Sequence, residues 1–249
     1  PGIKGYVQPP GIRFDPEGAR RLLAEAGYPG GKGMPPLELL YNTHEGHKAT
    51  AVVIAGQLRE NLGLDVRPFN EEWQSYQSST QTLKYDLARA GWIPDYLDPN
   101  TFLDMWITDG GNNQTGYSSP LYDRLYRIAK DVAAFCDAPQ PDLYEKLLEG
   151  DVLRAMVDEV RSIPKSDTQR RLARQRALRM QVFREMDQLV SAIDCPILPL
   201  YYYVTKNLVK PHVGGFHAYL RGPGGERVPN VRDHHPLRGM YIRRGSDAP

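Results

Sequence analysis

The sequence predicts an α/β fold built on a mostly parallel sheet. Segments at 37–42, 64–69 and 85–92 have the length and apolar content of strands; the first should be largely buried, and the second alternates between apolar and polar residues. Helical patterns at about 45–62 and 73–82 separate these strands. A strand–helix–strand–helix–strand order is typical of an α/β layer in which consecutive strands run parallel.

Capping residues set the boundaries of the first helices. Asp15 followed by Pro16 predicts the start of a helix, and Gly27 predicts its end. The helix at 45–62 is expected to stop at Gly63. The residues on the apolar face of the first helix are Ala19, Leu22, Leu23 and Ala26.

The second half of the chain is predicted to be mainly helical. One helix opens at the Ser-Pro pair 119–120, and two further patterns run from about 142 to 161 and from 167 to about 191. Short strands are predicted at 197–204 and 239–244. The apolar positions that indicate buried helix faces are Leu121, Leu125, Ile128, Val132 and Phe135, and then Ala173, Ala177, Met180, Phe183, Met186 and Val190.

The composition excludes several classes of protein. The 249 residues include 31 Lys and Arg against 30 Asp and Glu, a net charge of +1, which argues against a surface that coats nucleic acid. The arginines between 170 and 184 are therefore interpreted as a solvated helix face rather than a nucleic-acid site. The sequence contains no run of roughly 18 apolar residues, so no membrane-spanning helix is predicted.

The cysteines and the first residues bear on compartment and completeness. Cys136 and Cys195 are too few for a disulfide framework or a Cys-rich zinc site; one bridge between them stays open, and two unpaired thiols are the simpler interpretation. The chain opens at Pro1 without an initiator Met or an apolar leader. We therefore expect it to carry no signal peptide and to be part of a longer protein.

The sequence shows no motif for catalysis or for phosphate binding. His44 and His47 lie one helical turn apart with Glu45 between them, so both imidazoles can share a face as a metal pair requires, but no third ligand is obvious. The adjacent histidines at 234–235, preceded by Asp233, point to different faces of a strand. We predict no metal, no cofactor and no enzymatic activity.

The segment YDLARAGWIPDYLDP at 85–99 carries the clearest indication of a ligand site. Its strand is expected to end near Trp92, and ligands of open α/β sheets bind beyond the carboxyl ends of the strands. Asp95 and Tyr96 follow there, and a carboxylate beside aromatic rings suits a cationic group such as the protonated α-amino group of a peptide. Alternatively, Asp95 is only a turn residue; Asp98 is expected to cap a short helix.

A glycine and three tyrosines add further candidates. Gly91 indicates a point of close backbone approach, where an extended ligand can pair with the strand through main-chain groups; packing against a helix is the alternative. In the strand at 197–204, alternation places Tyr201 and Tyr203 on one face and Tyr202 on the other. At least one of them should be in the core, and another is a candidate to direct its hydroxyl at a ligand.

Four motifs occur in order and together resemble a known family. They are YNTHEGHK at 41–48, RAGW at 89–92 followed by Asp95, Tyr96 and Pro99, NNxxxYxSP at 112–120, and YYYVxxxLVKP at 201–211. The ordered set resembles the carboxyl-terminal half of the oligopeptide-binding proteins of ABC importers, which are periplasmic solute-binding proteins of family 5. The resemblance covers roughly residues 10–245.

The resemblance implies a lobe of the type II periplasmic-binding-protein fold, an α/β architecture with a mixed, mostly parallel sheet flanked by helices. Residues 1–211 would form this carboxyl-terminal lobe, with a helical insertion at about 136–170, and residues 212–249 a terminal segment that returns toward the amino-terminal lobe. The resemblance also implies an oligopeptide ligand, ABC transporter permease subunits as partners, a monomer, and a periplasmic or extracytoplasmic location, with a lipid anchor at the amino terminus as an option.

The resemblance further assigns ligand contacts. The aspartate matching Asp95 pairs with the peptide amino terminus, and the strand matching Arg89 to Ile93 runs beside the peptide backbone. The positions matching Arg89 and His47 meet the peptide carboxylate, and the position matching Tyr203 lies near the cleft. The expected ligand-binding residues are His47, Arg89, Gly91, Trp92, Ile93, Asp95, Tyr96, Asn112, Asn113, Tyr117 and Tyr203.

Departures from the family pattern leave alternatives open. A second basic residue, which the resemblance places shortly before RAGW, falls at about Thr80, so recognition of the carboxylate is expected to differ. The family also contains nickel, sugar and opine binders, so another solute is an alternative ligand. A sensing module that uses 136–170 as its contact surface, and a hydrolase built on His44, His47 and Asp95, are the other hypotheses.

Overall fold

The structure is a computed structural model that describes residues 3, 5–203, 210, 212–214 and 241–242. Its contacts divide the chain into two compact units. As far as they are described, the sheet unit consists of residues 12–92 and 111–117, and the helical unit consists of residues 1–11, 93–110 and 118–249. The division into a lobe at 1–211 and a terminal segment at 212–249 stays a prediction.

The sheet unit contains a three-stranded parallel sheet. Its elements in chain order are α1 (Pro16–Glu25), β1 (Leu37–Asn42), α2 (Glu45–Leu62), β2 (Val66–Glu71), α3 (Trp73–Gln81) and β3 (Leu87–Ala88). β1 lies in the middle; its residue Leu37 lies opposite Val66 of β2, and its residue Leu39 lies opposite Leu87 of β3. The predicted α/β class and the parallel direction of the strands are confirmed.

Two of the strands differ from their predicted ranges. β2 begins two residues later than the predicted 64–69 segment, and only Val66 within it is buried, so the expected alternation of buried and exposed residues is wrong for most of this edge strand. β3 contains only two residues of the predicted 85–92 strand. Its pairing with β1 ends where the Arg89 N–H donates to the Leu40 carbonyl at 2.7 Å. Apolar patterning predicts burial, whereas a ladder also needs partner backbone groups.

α2 packs on β1 and β2 and has the predicted boundaries. It begins where His44 Nδ1 accepts a hydrogen bond from the Gly46 N–H at 3.1 Å, and it ends at Gly63, whose φ is 71°. A Cβ on Gly63 would lie 2.4 Å from the Gly30 carbonyl oxygen, so both the conformation and the close approach require glycine. The core of the sheet unit consists of Leu39, Tyr41, Ala51, Ala55, Leu64 and Val66.

α1 has the predicted cap but not the predicted burial. Asp15 accepts a hydrogen bond from the Gly18 N–H at 2.8 Å, and Pro16 is the first helical residue. No residue of α1 is fully buried; Leu22 is 68% exposed, and Leu23 packs at the edge of the core. The amphipathic pattern identified the helix correctly, but it only indicates which face can be covered, and here that face stays largely open.

The helical unit contains five α-helices within its described residues: α4 (Asn100–Leu103), α5 (Pro120–Lys130), α6 (Val132–Asp137), α7 (Gly150–Ser162) and α8 (Thr168–Gln188). Short 3₁₀ turns occupy Asp104–Trp106 and Pro141–Lys146, and a π turn follows α8 at Leu189–Ile193. β4 (Val213–Gly214) pairs antiparallel with β5 (Tyr241–Ile242), so the strand predicted at 239–244 is confirmed for its two described residues.

Two predicted helices are interrupted. Asp131 leaves the helical conformation (φ −139°, ψ 74°) between α5 and α6, and its carboxylate caps α6 by accepting the Ala134 N–H at 2.9 Å. The pattern at 142–161 begins as a 3₁₀ turn before α7. A Cβ on Gly150 would lie 1.9 Å from the Tyr144 carbonyl oxygen, so the backbone closes tightly at this junction. The apolar stripe did not reveal either break, because the buried residues stay in phase across both.

α8 contacts α5, α6 and α7 and supplies much of the core of the helical unit. Its fully buried apolar residues are Leu178, Val182, Phe183 and Met186, whereas Ala173, predicted on the buried face, is exposed. The interpretation of its arginines as a solvated face is only partly correct, because four of them form ion pairs within the unit. These pairs are Arg171–Asp137, Arg174–Glu159, Arg179–Asp98 and Arg184–Glu149.

The segment at 197–203 is not a strand. Pro196 and Pro199 have no backbone N–H to donate, and the chain here has no regular structure. The tyrosines at 201–203 are all exposed, so the expectation that at least one is in the core is wrong. Side chains alternate between two faces only within a strand, and this segment does not form one. Residue 204, most of 212–249, Asp233 and the histidines at 234–235 lie outside the described residues.

Two further expectations concern the pairing of the cysteines and a membrane-spanning helix. Cys136 in α6 is buried and Cys195 is partly exposed, and both are free thiols. Across the described part of the chain, none of the helices is both long enough and apolar enough to cross a membrane.

Candidate functional site

The predicted ligand-binding residues fall into two sets, one in each unit. The sheet unit holds His47, Arg89, Gly91, Trp92, Asn112, Asn113 and Tyr117, and the helical unit holds Ile93, Asp95, Tyr96 and Tyr203. Within the sheet unit, the donor group is defined as His47, Arg89 and Trp92. Within the helical unit, the acceptor group is defined as Asp95, Tyr96, Asn100 and Asp104.

The donor group follows the ends of parallel strands. Arg89 comes directly after β3, where its N–H donates to the Leu40 carbonyl and its own carbonyl accepts from the Tyr76 hydroxyl at 2.9 Å. These bonds fix its backbone at the carboxyl edge of the sheet, and only 7% of the residue is exposed. His47 lies in the first turn of α2, where its Nδ1 donates to the Asn42 carbonyl at 3.3 Å, at the end of β1.

Arg89 and His47 are close enough to influence each other's charge. Burial and, second, the positive charge of Arg89 hold the pKa of His47 below its ordinary value of 6.5, so at neutral pH Arg89 supplies the charge. Trp92 adds a buried indole N–H that has no hydrogen-bond partner among the described residues. Thr80, where the resemblance expects a basic residue, is buried and uncharged. The donor group as a whole suits a carboxylate.

The other predicted residues of the sheet unit belong to a loop or to the surface. The Asn113 amide nitrogen donates to the Tyr117 carbonyl at 2.8 Å. Its Oδ1 accepts from the N–H and the hydroxyl of Thr115 at 3.2 and 2.9 Å, which closes the loop at 113–117. Asn112 and Gly91 are exposed. The visible role of Asn113 is therefore to shape this loop, and the ligand contacts of all these residues stay predictions.

The acceptor group lies between residue 95 and the 3₁₀ turn after α4. Asp95 is exposed, and among the described residues its carboxylate has no hydrogen bond or ion pair; its N–H donates to the Thr101 hydroxyl at 3.2 Å. The buried amide of Asn100 donates to the Tyr96 hydroxyl at 2.7 Å and to Asp104 Oδ2 at 3.1 Å. Its Oδ1 is a buried acceptor without a partner among the described residues.

Asp104 makes the acceptor group more negative. Burial raises the pKa of Asp104 above its ordinary value of 3.8, and the charge of Asp95 raises it further, while Lys130 and the Asn100 hydrogen bond act in the opposite direction. The two carboxylates therefore repel each other, and a positive charge arriving beside Asp95 would relieve that repulsion. Asp104 is not among the ligand-binding residues predicted from the sequence. Its signal was an aspartate inside the otherwise apolar segment FLDMWI at 102–107.

Three more residues of the helical unit were singled out in the sequence. Asp98 Oδ1 accepts the N–H of Asn100, the first residue of α4, at 2.9 Å. The N-cap position itself is Pro99, so Asp98 satisfies the first helical amide from one residue before the predicted cap position. Ile93 is exposed. The ring of Tyr203 lies edge-to-face against Tyr201 with 5.5 Å between centroids.

The pair His44 and His47 has local structural partners. Their ring centroids lie 4.6 Å apart, but His44 Nδ1 caps α2 and His47 Nδ1 bonds to Asn42. Within the part of the chain that the structure describes, no three His, Cys, Asp or Glu side chains are grouped so that they could hold a metal ion. No third metal ligand therefore joins this pair among the described residues.

Comparison with known proteins finds that this chain is similar to solute-binding proteins. Residues 1–114 match the family model of bacterial extracellular solute-binding proteins, family 5 Middle. The chain is similar to the periplasmic oligopeptide-binding protein OppA of Salmonella typhimurium, with 34% identity over 200 residues that cover 80% of this chain and 29% of the relative.

Two solved structures have the same fold. The Escherichia coli murein tripeptide binding protein MppA is similar with a TM-score of 0.64 and 25% identity, over 98% of this chain and 38% of that one. Haemophilus influenzae OppA in complex with RPPGFSPFR is similar with a TM-score of 0.58 and 26% identity, over 92% of this chain and 35% of that one. The chain thus spans about a third of the length of these relatives, and the predicted type II fold class is confirmed.

Proposed function

Since this chain belongs, through residues 1–114, to the family 5 bacterial extracellular solute-binding proteins, we propose that it is part of an oligopeptide-binding protein. In this proposal residues 1–211 form the carboxyl-terminal lobe, and residues 212–249 return toward a second lobe. The complete protein captures extended oligopeptides outside the cytoplasm and delivers them to the permease subunits of an ABC transporter. It binds its ligand without catalysis.

The observation that carries the proposal is the environment of Asp95. Its carboxylate is exposed, has no hydrogen-bond or ion-pair partner among the described residues, and is repelled by Asp104. The amino terminus of a peptide is largely an ammonium group at neutral pH, so it would pair with Asp95 and relieve the repulsion. The half-exposed ring of Tyr96, the next residue, offers an aromatic face to the same cation.

The donor group supports the same class of ligand. A carboxylate bound to Arg89 would raise the pKa of His47, against the effect of Arg89 itself, and so favour the protonated form, in which His47 is a second charged donor. The sheet unit thus offers the complement of a peptide carboxylate, and the helical unit offers the complement of a peptide amino terminus. Neither group depends on the side chains of a peptide, which suits ligands of varied sequence.

Calorimetric titration of the complete protein with di- to pentapeptides, and with the same peptides N-acetylated, tests the proposal. Hydrogen bonds to charged groups contribute about 1.5–3 kcal/mol, so the free peptides should bind at least about tenfold more tightly. Asp95→Asn should remove that preference and change the affinity for the acetylated peptides by less than about twofold. Asp158→Asn, which alters an exposed aspartate of α7, is the matched control and should change neither affinity.

Two results would contradict the proposal. An equal loss of affinity for free and acetylated peptides in Asp95→Asn removes the role of Asp95. The absence of heat with every peptide, together with binding of an oligosaccharide or a nickel complex, removes the peptide class.

Two finer statements belong to the same proposal. A lipid anchor at residues that precede this chain in the complete protein would hold it at a membrane, and labelling of cells with palmitate followed by capture of the protein tests this. Peptides incubated with the protein should be recovered intact, because binding without catalysis is proposed. Cleaved products that copurify with the activity would contradict it.

A further inference from the structure

The segment that carries Asp95 has little support of its own. Between residue 93 and α4 the backbone forms no regular element, and Ile93, Tyr96 and Leu97 are 41–45% exposed. Asp95 is also repelled by Asp104. A fixed position for the Asp95 carboxylate therefore requires a contact from elsewhere in the helical unit.

Arg179 of α8 makes such a contact. Its Nη1 and Nη2 donate to Oδ2 and Oδ1 of Asp98 at 2.6 and 3.1 Å, in a bidentate pair. Its Nε donates to the Ala129 carbonyl of α5 at 3.0 Å, and its guanidinium carbon lies 4.4 Å from the centre of the Phe183 ring. The Arg179 and Asp98 side chains are only 29% and 28% exposed, so water screens this pair less than a surface ion pair.

Asp98 transmits the restraint to Asp95 through the backbone. Its Oδ1 accepts the Asn100 N–H at 2.9 Å, and its carbonyl accepts the Thr101 N–H at 3.2 Å. The Thr101 hydroxyl in turn accepts the Asp95 N–H at 3.2 Å. An unbroken series of contacts therefore leads from Arg179 to the backbone of Asp95.

We propose that Arg179 is a positioning residue that holds the loop at 95–101 in the conformation with which Asp95 binds a peptide amino terminus. This inference rests on the proposed function of Asp95, and it concerns a residue to which the family resemblance assigns no role. The planar guanidinium is essential to the arrangement because it bridges Asp98 and Ala129 at once. A lysine has one ammonium group and could not form the bidentate pair with Asp98 and the hydrogen bond to Ala129 in the same geometry.

Hydrogen exchange of the ligand-free 249-residue chain tests the restraint itself. Arg179→Met keeps a long apolar side chain against Phe183 and removes the hydrogen bonds to Asp98 and Ala129. The amides of Asn100 and Thr101 should then exchange at least about tenfold faster than in the wild type. In Arg179→Lys, their exchange rates should lie between those of Arg179→Met and those of the wild type. Unchanged exchange at both amides in Arg179→Met overturns the inference.

A matched variant on the same helix controls for the loss of positive charge. Arg176 is exposed and lies one turn before Arg179, so Arg176→Met should leave the exchange of the loop at 95–101 as it is in the wild type. A loop that opens equally in Arg176→Met and Arg179→Met responds to net charge and not to the bidentate contact, which also overturns the inference.

Calorimetry of the complete protein separates positioning from general stability. Arg179→Met should lower the affinity for a free peptide about tenfold and the affinity for its N-acetylated form by less than about twofold. Arg179→Lys should recover part of the lost affinity for the free peptide. A less stable variant that keeps the wild-type ratio of the two affinities has lost only structural support, and overturns the inference. If the wild type binds both peptides equally, the proposed function of Asp95 fails, irrespective of Arg179.

Discussion

A cavity at Leu153 should destabilise the helical unit by about 2–5 kcal/mol. Leu153 lies in α7, is 0% exposed, and shares its buried face with Val157 and Val160. Leu153→Ala removes buried carbons and leaves a void that α7 and its neighbour α8 can only partly close. A loss of about 3 kcal/mol corresponds to a Tm that is lower by about 6–12 °C in a chain of this size.

Urea unfolding followed by fluorescence, with hydrogen exchange to locate the loss, measures this effect. Leu148→Ala is the matched control, because Leu148 precedes α7 and is 67% exposed; it should change stability by less than about 0.5 kcal/mol. The expected destabilisation is refuted if Leu153→Ala lowers the free energy of unfolding no more than Leu148→Ala does. It is also refuted if α7 alone loses protection while α8 keeps it, since the segment at 136–170 would then fold as a separate addition.

Three further predictions concern titratable groups. Arg89→Leu should raise the pKa of His47 in an NMR titration, but not to 6.5, since burial is the larger cause of its low value. Because the unfolded state of the wild type binds the His47 proton more tightly than the folded state, the free energy of unfolding should fall as the pH drops below 6.5. Burial raises the pKa of Cys136 to about 11, so at about pH 8 a thiol reagent should modify Cys195 in the native chain and Cys136 only after denaturation. Burial also raises the pKa of Glu185 above 4.5, so ionising this carboxyl group as the pH rises lowers the stability of the folded chain. In urea titrations, the free energy of unfolding of Glu185→Gln should therefore increase relative to that of the wild type between about pH 4 and about pH 7.

Each of these predictions has a specific contrary result. Arg67→Leu removes an exposed arginine of β2 and serves as the control for Arg89→Leu; the same His47 pKa in both variants contradicts the electrostatic link. If the thiols of Cys136 and Cys195 react at the same rate in the native chain, the shielding of Cys136 is contradicted. A stability difference between Glu185→Gln and the wild type that does not depend on pH contradicts the cost assigned to the buried carboxylate.

Most helix ends and the order of the first elements could be predicted from the sequence. Asp15 and Gly63 act on backbone groups within a few residues, so their effect does not depend on the rest of the fold. The strand–helix alternation likewise predicted the parallel sheet, and the ordered motifs predicted the family whose model matches residues 1–114. The sequence also placed Asp95 just after the third predicted strand, and the structure shows that this residue is exposed, although its role as a ligand contact stays a proposal.

Contacts between residues that are distant in the sequence could not be predicted before the folded structure was known. Local pattern did not predict that β3 would pair over two residues, that α1 would leave Leu22 exposed, or that the tyrosines at 201–203 would lie outside the core. Arg179 meets Asp98 across 81 positions of sequence, and α8 packing brings them together. A capping residue or an apolar pattern reflects only interactions between residues that are close in the sequence. Burial and ion pairing depend instead on which surfaces the folded chain brings into contact.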